Sequence, residues 1–88
     1  MARYKLRIKK SAAKELEAIS RKSDRQRIVS RIEALADNPR PAGCRKLSGS
    51  ERYRIRQGHY RIVYAIEDKQ LVVYVIKIAD RKTVHRAL

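Results

Sequence analysis

With 88 residues, 23 Lys plus Arg against nine Asp plus Glu, and a formal charge of +14, the chain has material for one small domain over residues 1–88 and a field that draws in polyanions. Cys44 is the single cysteine and His59 and His85 the two histidines, which excludes an intramolecular disulfide and a Cys/His zinc cluster and fits a reducing compartment. Residues 1–10 lack the apolar run of a secretory leader, and no stretch approaches the ~20 apolar residues of a membrane span, so a soluble cytoplasmic protein with no membrane partner is expected.

The charge is spread evenly. Residues 1–43 hold 12 basic and five acidic side chains, and residues 44–88 hold 11 and four. A disordered basic arm would concentrate its charge in a segment without apolar periodicity. Here Arg and Lys alternate with Ile, Val, Leu and Tyr, so the charge decorates a folded surface and nucleic acid or an acidic protein is the expected partner.

Tyr4, Leu6 and Ile8 alternate with Arg3, Lys5, Arg7 and Lys9, which predicts a strand over 2–9. Ser11 then suits a helix N-cap, and Ala12, Leu16 and Ile19 give the following helix an apolar stripe that breaks near Ser20. Ser23-Asp24-Arg25-Gln26 has the capping-box arrangement that starts a second helix. Ile28, Ile32 and Leu35 form its buried stripe, with Val29 and Ala36 on the flank and Arg25, Arg27 and Arg31 toward water. Asn38-Pro39 ends it, because a residue before Pro is pushed out of the α region.

Pro39, Pro41, Gly43 and Ser48-Gly49-Ser50 make residues 38–51 a loop. Three strands follow, over 52–57, 60–67 and 71–78, joined by the Gly58-His59 turn and by Asp68-Lys69-Gln70. Links this short demand antiparallel hairpins. The order β-α-α-β-β-β gives a two-layer α+β domain: two helices on one face of a mainly antiparallel four-stranded sheet, with the other face free for a ligand.

On the strand 52–57, Tyr53 and Ile55 point one way and Arg54 and Arg56 the other. Arg61 on the next strand projects beside that pair if the hairpin turns at Gly58-His59, and Arg81 follows the last strand. Three or four guanidinium groups gathered in this way would hold a phosphate through bidentate bonds and stabilise the added charge of a pentacoordinate transition state. For a single Arg in so basic a chain, a solvated surface charge is the plainer explanation.

His85 suits proton transfer near neutrality by residue type, and by spacing alone it is also an ordinary tail residue. His59 reads as a polar turn residue, and Cys44 as a loop thiol with neither His near it in sequence. Most of Tyr53, Tyr60, Tyr64 and Tyr74 are expected in the core, while a ring facing the arginines would stack on a base. No paired carboxylates, P-loop, nucleophile elbow or acidic metal site is present.

Lys46-Leu47, Tyr53-Arg54-Ile55-Arg56, His59-Tyr60-Arg61-Ile62-Val63-Tyr64 and Ala79-Asp80-Arg81-Lys82-Thr83-Val84-His85-Arg86 occur in an order and spacing that resembles the C-terminal half of toxins of the RelE/ParE superfamily, the RelE branch above all. The helix pair before them matches as well. The resemblance implies a type II toxin-antitoxin toxin that acts as an endoribonuclease in the ribosomal A site. A ribose 2′-hydroxyl attacks the adjacent phosphate, translation stops, and no metal or cofactor takes part.

It further implies catalytic roles for Arg54, Arg56, Arg61 and Arg81, and RNA binding by these four with Lys46 and Lys82. His85 stands where the family often has a C-terminal Tyr, and Ser48 where some members carry a further Arg. Arginine stays charged and accepts protons poorly, which turns attention to His85 for acid/base work. The implied partners are a RelB-like antitoxin wrapping the toxin with an acidic segment, the ribosome with its messenger RNA, and operator DNA only through the antitoxin complex. Two alternatives stay open: a ParE-like inhibitor of DNA gyrase, and a non-catalytic nucleic-acid-binding module or corepressor.

Overall fold

Alternating apolar and charged residues build five strands in a computed structural model that describes residues 3–47 and 51–80. In chain order the elements are β1 (Lys5–Ile8), α1 (Lys10–Glu17), α2 (Lys22–Ala34), β2 (Arg45–Lys46), β3 (Arg52–Gln57), β4 (Tyr60–Glu67) and β5 (Val72–Asp80). The strands form one sheet in the order β1-β5-β4-β3-β2. β1 runs parallel to β5, and the remaining pairs are antiparallel.

The α+β class and the two hairpins are as the sequence predicts, but the sheet has five strands instead of four. Arg45–Lys46 pairs with Tyr53 and Arg54 inside the segment expected to be loop. Two residues between Pro/Gly turns carry no periodicity, so only the partner strand reveals them as a strand.

The helix starts also differ. α1 begins at Lys10, one residue before the expected Ser11 cap, and Lys9 caps it with no side-chain bond. The chain leaves no spare residue there, because the Lys9 N–H still bonds the Val75 carbonyl at 2.8 Å while the Lys9 carbonyl already accepts from Ala13 at 2.9 Å. α2 begins at Lys22 rather than after Ser23, again without a side-chain cap. The Arg25 guanidinium reaches back to the Ile19 and Ser20 carbonyls and fixes the corner instead.

α1 packs on β5 and α2 on β3. Between helices and sheet lie Ala12, Ile28 and Leu35 against Ile55, Ile62, Tyr64, Val73 and Val75, all buried. Burying an Ile or Leu side chain contributes about 1.5–3 kcal/mol, so this layer holds the fold together. Tyr53 stacks on Tyr64 with ring centroids 5.9 Å apart. The other face of the sheet is not covered by either helix, and Val63, Ala65 and Val72 on it are half-buried.

Leu71 closes the β4–β5 hairpin with φ of 55°, a left-handed conformation uncommon for a branched residue. Its N–H bonds the Asp68 carbonyl at 3.3 Å, and its own carbonyl accepts from Lys5 at 2.7 Å. Beyond Val75, β1 no longer accompanies β5. Glu15 of α1 takes over there, accepting from the Ile78 N–H at 3.1 Å and pairing with Lys77 at 2.9 Å. No helix among the described residues is long and apolar enough to cross a membrane.

Candidate nucleic-acid interface

The β3–β4 register sets Arg56 opposite Arg61 and Arg54 opposite Val63. Tyr53, Ile55, Ile62 and Tyr64 are buried under the helices, so period 2 turns Arg54, Arg56 and Arg61 together onto the uncovered face. Two like charges directly opposed across strands are destabilising, and nothing in the core demands this pair. The Arg61 Nε is buried and has no hydrogen-bond partner among the described residues. Burying that N–H without a partner costs free energy that the fold does not recover from a protein acceptor among the described residues.

A cleft of about 400 Å³ adjoins this face at the β3 edge, lined by Arg31, Gly43, Arg45, Arg54 and Arg56. Arg45 is there because it pairs with Arg54 across β2 and β3. Arg31 comes from the last turn of α2, and its Nε is likewise buried without a partner among the described residues. Gly43 turns the chain into β2 at φ of 90°, where a Cβ would meet no atom within 4 Å; conformation rather than space calls for glycine.

The loop that delivers Gly43 and Arg45 is tied down at several points. The Tyr64 hydroxyl donates to the Pro39 carbonyl at 2.8 Å, and burial, with the Cys44 thiol adding to it, pushes that phenol above the ordinary tyrosine range. Arg40 forks onto Asp68 at 2.9 and 3.2 Å and lies over the Tyr53 ring at 5.2 Å. The Cys44 N–H bonds the Pro41 carbonyl at 3.1 Å.

Lys46 stands apart from the arginines. Its register partner is the buried Tyr53, which puts it toward the helix side, and it pairs with Glu51 at 3.9 Å. His59 is an exposed turn residue beside Gly58. Tyr74 is the tyrosine on the open face, 40% exposed. It borders a larger concavity of about 950 Å³ with Arg7, Ile8 and Val72, at the opposite corner from Arg61. Arg81, Lys82 and His85, as well as Ser48, lie outside the described residues.

Sequence and fold both match known proteins. A family model described as the ParE toxin of type II toxin-antitoxin systems, parDE, matches residues 6–84. The chain belongs to this family. The toxin is 26% identical over 82 residues to a RelE-like toxin protein of Escherichia coli, covering 91% of this chain and 85% of that one.

In three dimensions the toxin is similar to RelE in the RelE-RelB complex of Pyrococcus horikoshii, with a TM-score of 0.80, 29% identity, and 92% of this chain and 97% of that one covered. It is also similar to isolated E. coli RelE, with a TM-score of 0.76, 26% identity, and coverage of 97% and 99%. The RelE-like branch is thereby supported, with a mixed sheet and two helices as in those structures.

Arg31 and Arg45 are the basic residues that sequence reasoning left out of the site. Arg31 flanks the Ile28/Ile32/Leu35 stripe, and no local pattern says which neighbour it meets. Arg45 differs from Lys46 only by alternation, whose phase is invisible until the pairing with β3 is known.

Proposed function

We propose that this toxin is an endoribonuclease that cuts messenger RNA on the ribosome and so stops translation. The observation that carries the proposal is the gathering of Arg54, Arg56 and Arg61 on the uncovered sheet face, with the buried Arg61 Nε unpartnered among the described residues. The resemblance to RelE supports it. A bond forms from the ribose 2′-oxygen to phosphorus as the bond from phosphorus to the 5′-oxygen breaks, leaving a 2′,3′-cyclic phosphate and a 5′-hydroxyl. One proton leaves the 2′-hydroxyl and one arrives on the 5′-oxygen, so the balance closes with no co-reactant.

Arg56, Arg61 and Arg81 neutralise the charge that grows on the phosphoryl oxygens; one such preorganised donor is worth about 10²–10³-fold in rate. His85 gives the 5′-oxygen its proton or takes the one from the 2′-hydroxyl. Arg54 and Lys82 hold neighbouring stretches of the message, while Lys46, turned to the helix side and paired with Glu51, is not placed to share that face. No step passes through a metal or cofactor. A RelB-like antitoxin with an acidic segment is the natural neutralising partner of a surface this basic, in keeping with the RelE-RelB complex of P. horikoshii, and operator DNA is reached only through that complex.

A second reading, inhibition of DNA gyrase, is favoured by the ParE description of the matching family model. Inducing the toxin in a bacterium and mapping transcript 5′ ends separates the two. Cuts spaced in register with translated frames are expected. Intact messages with stalled, damaged chromosomes would refute the nuclease and favour gyrase, and intact messages with intact DNA would leave a binding module or corepressor.

A further inference from the structure

The facing Arg56 and Arg61 account for one scissile phosphate, yet the basic surface continues past them. The cleft at the β3 edge adds Arg31 from the helix layer and Arg45 from β2, so four guanidinium groups and Gly43 make up its wall. No carboxylate among the described residues pairs with any of the four. Like charges held this closely raise the free energy of the folded state, and the desolvated Arg31 Nε forgoes a bond that water supplied in the unfolded chain. A bound anion offsets both costs.

We propose that this cleft is a second phosphate subsite, in which Arg31 and Arg45 grip a backbone phosphate of single-stranded RNA beside the one that is cut. The proposal rests on the nuclease reading for its substrate and names residues of the interface that the reaction itself does not use. The lining argues for a compact phosphate rather than an acidic protein segment. It contains no aliphatic or aromatic side chain into which a peptide anchor would pack, whereas planar forks converging from several directions match the oxygens of a phosphodiester. Arg56 belongs to both places, opposite Arg61 in the register and in the cleft wall, so consecutive phosphates of one strand follow the sheet edge.

The test uses the full chain and a short RNA carrying 2′-O-methyl groups throughout, which binds but offers no attacking hydroxyl. Arg31→Gln and Arg45→Gln should each weaken binding about tenfold, as expected for a charged hydrogen bond, and each should lower the slope of log affinity against log salt by ~0.7. Lys14→Gln, which removes the same charge from exposed α1, should leave affinity within about twofold. Arg31→Lys should recover the salt slope but only part of the affinity, because a point charge lacks the fork.

Circular dichroism and melting confirm folding, and exposed Arg45 decides the matter if Arg31→Gln unfolds. Wild-type affinity and slope in the folded Arg31 and Arg45 variants would overturn the proposal. So would loss of affinity for a Glu-rich peptide in these variants with RNA binding unchanged, which would make the cleft a protein-docking site. If the variants lose RNA binding as expected while induced cells show uncut messages, the subsite stands and the nuclease falls. Cut messages with unaffected binding would leave the nuclease standing and remove the subsite.

Discussion

Tyr64→Phe tests how firmly the core holds the loop that supplies the cleft. Tyr64 is fully buried, and its hydroxyl donates to the carbonyl of the buried Pro39 at 2.8 Å. Phenylalanine keeps the ring and its stacking on Tyr53, so no cavity opens and the polar loss stands alone. Leaving a buried carbonyl without its donor costs about 1–3 kcal/mol. Taking ~1.5 kcal/mol, and 4–8 °C per kcal/mol for a domain of this size, the midpoint should fall by about 6–12 °C.

Scanning calorimetry and urea titration at neutral pH measure the loss, with Tyr74→Phe as control. Tyr74 is 40% exposed on the open face, where a change should stay within about 0.5 kcal/mol. Because Pro39 precedes Gly43 and Arg45, the same variant should also speed amide exchange from 40 to 46 and weaken RNA binding with no charge removed. A Tyr64→Phe protein that melts within ~2 °C of wild type, or no lower than Tyr74→Phe, would refute the reasoning.

The Asp68 carboxyl is held below its ordinary 3.8 first by the hydrogen bond from Arg40 and then by that from Tyr4. A depressed folded value means that this stabilisation is complete above the unfolded value and is lost as pH falls through the lower folded one. Urea midpoints should therefore drop in acid below about pH 4 in wild type, and less steeply in Asp68→Asn. Glu15→Ala removes both the cap on the Ile78 N–H and the Lys77 pair, and should cost about 1 kcal/mol in urea with faster exchange of the Ile78 amide. Arg61→Gln should slow message cleavage by about 10²–10³-fold. His85→Ala should slow it by about 10²–10⁴-fold, with the pH–rate profile losing one limb; wild-type cleavage by both variants would sink the catalytic assignment.

The hairpins were legible in sequence because their signals are local and agree with one another. Tyr53, Ile55, Ile62 and Tyr64 alternate with Arg54, Arg56, Arg61 and Val63, Gly58 supplies a turn at φ of 60°, and the pleat does the rest. The helix starts were not legible, since the Lys9 pairing with Val75 is a tertiary contact and the Arg25 grip on Ile19 closes the corner between the helices, and both compete with a Ser preference of about 1 kcal/mol. The site divided along the same line. Arg54, Arg56 and Arg61 followed from alternation along two adjacent strands, whereas Arg31 joins them only because α2 packs on β3, a fact of packing that leaves no trace in spacing.

The treatment of the two sheet borders has a consequence for how the protein behaves in a crowd. One border ends in a two-residue strand of Arg45 and Lys46. The other is the four-residue β1 with its exposed Lys5 and Arg7, and where β5 outruns it the Ile78 N–H is taken by Glu15 with Lys77 beside it. An incoming extended chain finds bulky cations on one side and a donor already spoken for on the other, which are obstacles to edge-to-edge growth. Short, charged rims of this kind disfavour strand addition while leaving the face of the ribbon open.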